Sequence, residues 1–164
     1  MSLEDVKAYF RPFNRDKDII ELQLSSATVD LAAEHLHVEP ERIAKTLAFR
    51  GENKEGAMLV VTAGDARIDN KKFRKTFGFK AHMLSADETL DLVGHAIGGV
   101  CPFAVKHDWP VYMDESLKRF KTVFPACGSS NSAIELTIDE LYSYGKGKAW
   151  VDVCKDWPEV EKEG

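Results

Sequence analysis

Apolar residues recur along this chain at helical spacing in some stretches and alternate in others, and the switches mark its elements. Leu3, Val6 and Phe10 predict a short N-terminal helix, broken at Arg11-Pro12-Phe13-Asn14. Residues 18–22 read as a strand. Ser25 or Ser26 then stands where a cap belongs, ahead of Val29, Ala32, Ala33 and Leu36 on one face of a second helix. Val38-Glu39-Pro40 ends that helix, and Pro40 can open another short helical turn. Residues 44–49 alternate as a strand, 51–56 are polar and 57–62 are strand-like again, which predicts a hairpin.

Further along, Asp69 or Asn70 can cap a basic helix whose Phe73 and Phe77 face inward and which Gly78 stops. Residues 81–83 read as a short strand. Ser85-Ala86-Asp87-Glu88 forms a capping box for a helix through Leu90 and Val93, with Gly94 as its stop. A glycine-rich turn over 94–103 follows and leads towards an apolar strand. Val111-Tyr112-Met113 is a strand, and Asp114-Glu115-Ser116 begins a helical turn. Residues 122–127 and 133–137 read as paired strands joined by the small polar stretch 128–132. Thr137-Ile138-Asp139-Glu140 is a second capping box, Gly145-Lys146-Gly147 ends its helix, and 149–153 is a last strand. Strands and helices intermix without a regular βα period. The expected fold is therefore α+β, a central mixed sheet surrounded by helices, in one domain over 1–158 with an acidic tail at 159–164.

Composition adds limits to this picture. With 164 residues, 44% hydrophobic and 30% charged, the chain has the balance of a soluble globular domain. No run approaches the roughly 20 apolar residues of a membrane span. Met1-Ser2-Leu3-Glu4-Asp5 lacks the basic head and apolar run of a signal peptide, so the expectation is a cytoplasmic protein without membrane partners. A net charge of −5 argues against nucleic-acid binding through bulk positive charge, and DNA is not an expected partner. The local exception is Arg67, Lys71, Lys72, Arg74, Lys75 and Lys80, which reads either as a solvated helix face or as a basic patch. Cys101, Cys127 and Cys154 are far apart and odd in number, which suits free thiols better than zinc or a disulfide framework.

Candidate chemistry centres on the turn Gly94-His95-Ala96-Ile97-Gly98-Gly99-Val100-Cys101-Pro102-Phe103. Adjacent glycines let backbone approach a bound group, and free N–H groups there can receive an oxyanion or phosphate; the same residues also make a plain corner. Lys45 is a charge near the start of an interior-looking strand. Cys101 or Cys127 can be paired on paper with His95 or His107, but the flanks of cysteine proteases are missing. His35 and His37 stand two apart, a poor metal pair on a helix, and no dinucleotide, Walker or zinc-protease motif occurs.

Four stretches in order resemble the YbaK/EbsC family, aminoacyl-tRNA deacylases related to the editing insertion of bacterial prolyl-tRNA synthetase. They are Ile43-Ala44-Lys45-Thr46-Leu47, Gly98-Gly99-Val100-Cys101-Pro102-Phe103, Val111-Tyr112-Met113-Asp114-Glu115-Ser116-Leu117, and residues 128–136 running into the 137–141 helix start. The resemblance implies a largely antiparallel, partly barrel-like sheet and hydrolysis of the ester joining a wrongly attached amino acid to the tRNA 3′ end. It implies no cofactor and no metal. Its partners would be the aminoacyl-tRNA 3′ end and a tRNA synthetase. Lys45 would be the central functional side chain. Backbone at Gly98, Gly99 and Val100 would stabilise the oxyanion. Thr46, Cys101, Pro102, Gly128 and Ser129 would contact substrate.

Two departures bear on specificity. Cys101 stands where serine is expected in many relatives, and Gly128-Ser129-Ser130-Asn131 lacks the basic residue of the Cys-tRNA(Pro)-specific branch. Alanine, serine, threonine or cysteine is therefore the expected moiety. The competing readings are a non-catalytic module that binds aminoacyl-tRNA or a synthetase, and a thiol hydrolase using Cys101.

Overall fold

The long hairpin predicted near residue 50 is the spine of the molecule. The computed structural model describes residues 2–25 and 27–158. In chain order its elements are α1 (Ser2–Phe10), β1 (Ile20–Glu21), α2 (Val29–Leu36), β2 (Ile43–Arg50), β3 (Ala57–Ala63), β4 (Arg67–Ile68), α3 (Asn70–Phe77) and α4 (Ala86–Val93). They continue with β5 (Val111–Asp114), β6 (Thr122–Pro125), β7 (Ser132–Ala133), β8 (Leu136–Thr137), α5 (Ile138–Tyr144), β9 (Gly147–Val151) and β10 (Cys154–Lys155). Six strands form one mixed, curled sheet in the order β8-β6-β2-β3-β5-β9. The antiparallel β2–β3 ladder pairs residues from Ala44↔Ala63 to Arg50↔Ala57. The β2–β6, β3–β5 and β5–β9 pairs run parallel. β1–β7 and β4–β10 add two short antiparallel ladders.

β3 is buried along its whole length, which is why 57–63 reads as a nearly continuous apolar run. On one side of the sheet Phe49 packs on Phe73 of α3 with ring centroids 4.9 Å apart. Elsewhere Phe10 of α1 meets Phe103 at 4.8 Å and Tyr144 at 5.4 Å, so the loop after α4 is anchored in the core. Both predicted capping boxes are complete, Ser85 with Glu88 and Thr137 with Glu140.

β2 has an outer edge that is only partly occupied. β6 pairs with it at Ile43 and Ala44 and no further. The edge is taken up again where the Leu84 N–H donates to the Ala48 carbonyl (3.0 Å) and the Arg50 N–H to the His82 carbonyl (2.8 Å). Residues 45–47 lie between these two attachments.

Several local expectations differ from the structure. The α2 cap is Thr28, whose hydroxyl accepts from the Leu31 N–H at 3.2 Å; it is not Ser25, and Ser26 lies outside the described residues. The strand expected over 18–22 shrinks to Ile20–Glu21, because Asp16–Asp18 form a 3-10 turn. Residues 81–83 contribute a single bridge, Met83 to Phe49. The glycine-rich turn leads into no strand before Val111: His95 and Phe103 close it on itself, and Pro102 and Pro110 supply no N–H to a ladder. The 122–137 pairing holds at Thr122–Val123 with Thr137–Leu136 and at Ala126 with Ala133. The last strand begins earlier, at Gly147, and Cys154–Lys155 turns away to pair with β4. The acidic tail lies outside the described residues.

Candidate active site

The open stretch of β2 forms one wall of a cavity of about 300 Å³. α2 forms a second wall through Val29, Ala32 and Leu36. The turn after α4 supplies Ile97, Gly98 and Val100, and Met83 with Leu84 completes the rim. Alternation along β2 decides which side chains serve which face. Ile43 packs with Ala33 of α2 and with Phe124, whereas Ala44 and Ala48 join the main core and Leu47 packs against it; Lys45 and Thr46 border the cavity between them. Lys45 is half-buried and has no carboxylate within 4.0 Å among the described residues. Burial lowers its pKa below 10.5, with Asp65 partly opposing the shift. The Thr46 hydroxyl is buried without a hydrogen-bond partner among the described residues.

The glycine turn is fixed by backbone packed against backbone. The Gly128 N–H donates to the Gly99 carbonyl at 3.1 Å, and a Cβ on Gly99 would lie 2.6 Å from the Gly128 carbonyl carbon and the Ser129 nitrogen. Gly128 has φ +91 and backs onto the Ser2 carbonyl of α1, so this contact also needs glycine. The Gly99 N–H is already given to the Ala96 carbonyl at 2.9 Å. The N–H groups of Gly98 and Val100 have no acceptor among the described residues, and both residues line the cavity.

The residues singled out from sequence thus divide into two groups. Lys45, Thr46, Gly98 and Val100 border the cavity. Gly99, Cys101, Pro102, Gly128 and Ser129 stand behind its wall. Ser129 there hydrogen-bonds Asn131 at 2.8 Å and Ser132 at 2.7 Å, and Pro102 abuts Gly145. Cys101 does meet His95, with Sγ 3.6 Å from Nε2, but both are buried. Burial pushes the thiol up to about 12 and the imidazole below 6.5, so each is held neutral. A thiolate–imidazolium nucleophile needs the opposite shifts. The α2 wall has no signal of its own in the sequence: Val29, Ala32, Ala33 and Leu36 form the apolar face of an ordinary helix, and only the gap in β2's edge turns part of that face into a wall.

An aminoacyl-tRNA editing domain family model matches residues 25–144, from the approach to α2 through the end of α5. The chain belongs to the YbaK/EbsC family of aminoacyl-tRNA editing domains. The sequence is similar to the uncharacterised Bacillus subtilis protein YwhH, 60% identical over 96% of this chain and 99% of that one. It also resembles EbsC of Enterococcus faecalis, named for a proposed Cys-tRNA(Pro)/Cys-tRNA(Cys) deacylase activity, 30% identical over 74% of each chain. A crystal structure of a proposed trans-editing enzyme for prolyl-tRNA synthetase superposes with TM-score 0.82 at 29% identity, covering 99% of this chain and 98% of that one. The same editing unit matches 22% of the proline–tRNA ligase of Aquifex aeolicus at 28% identity. Family membership makes the protein a hydrolase acting on aminoacyl-tRNA, in the service of translation fidelity. Among the described residues no helix is long and apolar enough to cross a membrane.

Proposed function

We propose that this editing domain works in trans, removing a small amino acid (alanine, cysteine, serine or threonine) from the 3′ end of a mischarged tRNA. The observation that carries this reading is that Lys45 and the N–H groups of Gly98 and Val100, which have no acceptor among the described residues, border one cavity. Attack on the ester carbonyl builds negative charge on its oxygen, and rigid N–H donors aimed at that position lower the barrier by roughly 3–4 kcal/mol each. Gly99 braces this arrangement by its bond to Ala96 and its contact with Gly128. Lys45 holds the terminal ribose-phosphate as a point charge, and Thr46 has an unused hydroxyl beside it. Water or a hydroxyl of the substrate is the nucleophile. An aminoacyl ester is already activated, so positioning and charge stabilisation suffice. The mostly apolar wall admits small side chains by size alone, which gives loose discrimination among close isosteres.

The test is a panel of alanyl-, cysteinyl-, seryl- and threonyl-tRNA with native and Lys45→Ala protein. The expected result is turnover of at least one member and a loss of about 100-fold or more in the variant, equal to about 2.7 kcal/mol of barrier. Undiminished hydrolysis by a folded Lys45→Ala protein would remove Lys45 from the mechanism. Tight tRNA binding without turnover by the native protein would replace the hydrolase with a binding module.

A further inference from the structure

Outside the cavity, positive charge gathers on α3. Residues 70–82 hold Lys71, Lys72, Arg74, Lys75 and Lys80 with no acidic residue, on a chain of net charge −5. The buried Phe73 fixes the rotation of the helix and leaves Lys71, Arg74 and Lys75 exposed. Lys72 is turned aside to Asp152 (3.1 Å) and the Cys154 carbonyl (3.0 Å). Lys71, Arg74, Lys75 and Lys80 have no carboxylate within 4.0 Å among the described residues, although Arg15, Arg42 and Arg119 elsewhere are all paired. Lys71, Arg74, Lys80 and His82 line one depression of about 370 Å³. Its position is the second observation. His82 belongs to this depression, and the next two residues, Met83 and Leu84, belong to the rim of the cavity.

We propose that this face of α3, with Lys80, grips the phosphates of the tRNA acceptor stem adjoining the aminoacylated 3′ end. The inference rests on the editing function proposed above: a cavity that takes the 3′-terminal ester brings RNA backbone to its rim. Contacts to phosphate position a nucleic acid without reading its sequence, and they add affinity that depends on salt. Arg74 can grip a phosphate in two-pronged fashion, and the lysines act as point charges. Because these groups touch a part of the substrate that does not react, they act on KM more than on kcat.

The experiment compares native protein with a variant combining Lys71→Ala, Arg74→Ala and Lys80→Ala. Binding of uncharged tRNA is followed by fluorescence anisotropy across a salt series. Deacylation is followed on mischarged tRNA and on the corresponding 3′-aminoacyl CCA trinucleotide. The expected result is a log–log salt slope shallower by about 2 to 3. KM for tRNA rises at least about tenfold, while the trinucleotide kinetics stay unchanged. A companion variant with Lys71→Arg and Lys80→Arg keeps the native slope. An unchanged slope and KM in the triple alanine variant would overturn the proposal, as would equal losses on tRNA and trinucleotide, which would trace the effect to the cavity. Tight native binding whose slope falls in the variant, with no turnover of either substrate, would uphold this surface and overturn the hydrolase reading instead.

Discussion

At the scale of single residues, the site depends more on what is absent than on reactive groups. A side chain on Gly99 would collide with backbone at 2.6 Å, and backbone yields less readily than the end of a flexible side chain. Gly99→Ala is therefore expected to destabilise the protein by about 1–3 kcal/mol and to lower deacylation with it, since it displaces the neighbours that bear the free N–H groups. Gly78→Ala is the control. Gly78 has φ +83 but nothing within 4 Å of a would-be Cβ, so it should lose about 1 kcal/mol and keep its activity. Denaturant titration beside a deacylation assay separates the two. Cys101 illustrates the converse: a thiol beside a histidine looks reactive in sequence, and burial makes both partners inert.

At the scale of elements, the glycine turn is closed by His95, whose Nε2 donates to the Phe103 carbonyl at 2.7 Å. Burial holds this imidazole neutral, with its pKa below 6.5. The unfolded chain binds a proton near 6.5 that the folded chain resists. The stability it contributes is thus complete above 6.5 and is lost as pH falls from 6.5 through the lowered folded value. Unfolding free energies measured at pH 7.5 and 5 should differ in native protein, and the difference should shrink in His95→Gln. An unchanged difference would place the acid sensitivity elsewhere. Helices were legible in sequence because caps and apolar faces are local: Asp69, Ser85, Thr137 and Gly78 all stand at helix ends. The α2 cap was misplaced because three hydroxyl residues precede the helix, and the choice of Thr28 depends on where the incoming chain turns. The strand towards which the glycine turn leads is Val111–Asp114, and the stretch before it stays irregular, with Phe103 packed on Phe10 of α1 beside Tyr144.

At the scale of the whole molecule, one arginine ties distant segments together. Arg119 is nearly buried, donates to both oxygens of Asp65 just past β3, to the Ser116 carbonyl and to the Pro158 carbonyl, and lies against the Phe120 and Trp157 rings. Removing one partner of such a set strands the other, so Arg119→Ala is expected to cost about 2–3 kcal/mol, lowering Tm by roughly 2–4 °C per kcal/mol. Calorimetry would check this, and a shift below one degree would show the pair to be solvent-screened. Sequence pattern anticipated the mixed sheet but not this tie, because no periodicity links residues 65, 119 and 158. The cavity was half legible for the same reason. The motif residues Lys45 and Gly98 could be named from order alone, while the wall made by α2 exists only once β6 stops pairing after Ala44.

That interrupted edge has a consequence for how the protein can change over evolutionary time. The opening is framed like a window: the sill and lintel are hydrogen-bonded backbone at Ala44 and Ala48, and only the surround is side chain. Exchanging Val29, Ala32 or Met83 resizes the aperture without unzipping a ladder. Descendants of one ancestral frame can therefore drift from one amino acid to another while the masonry around them stays put.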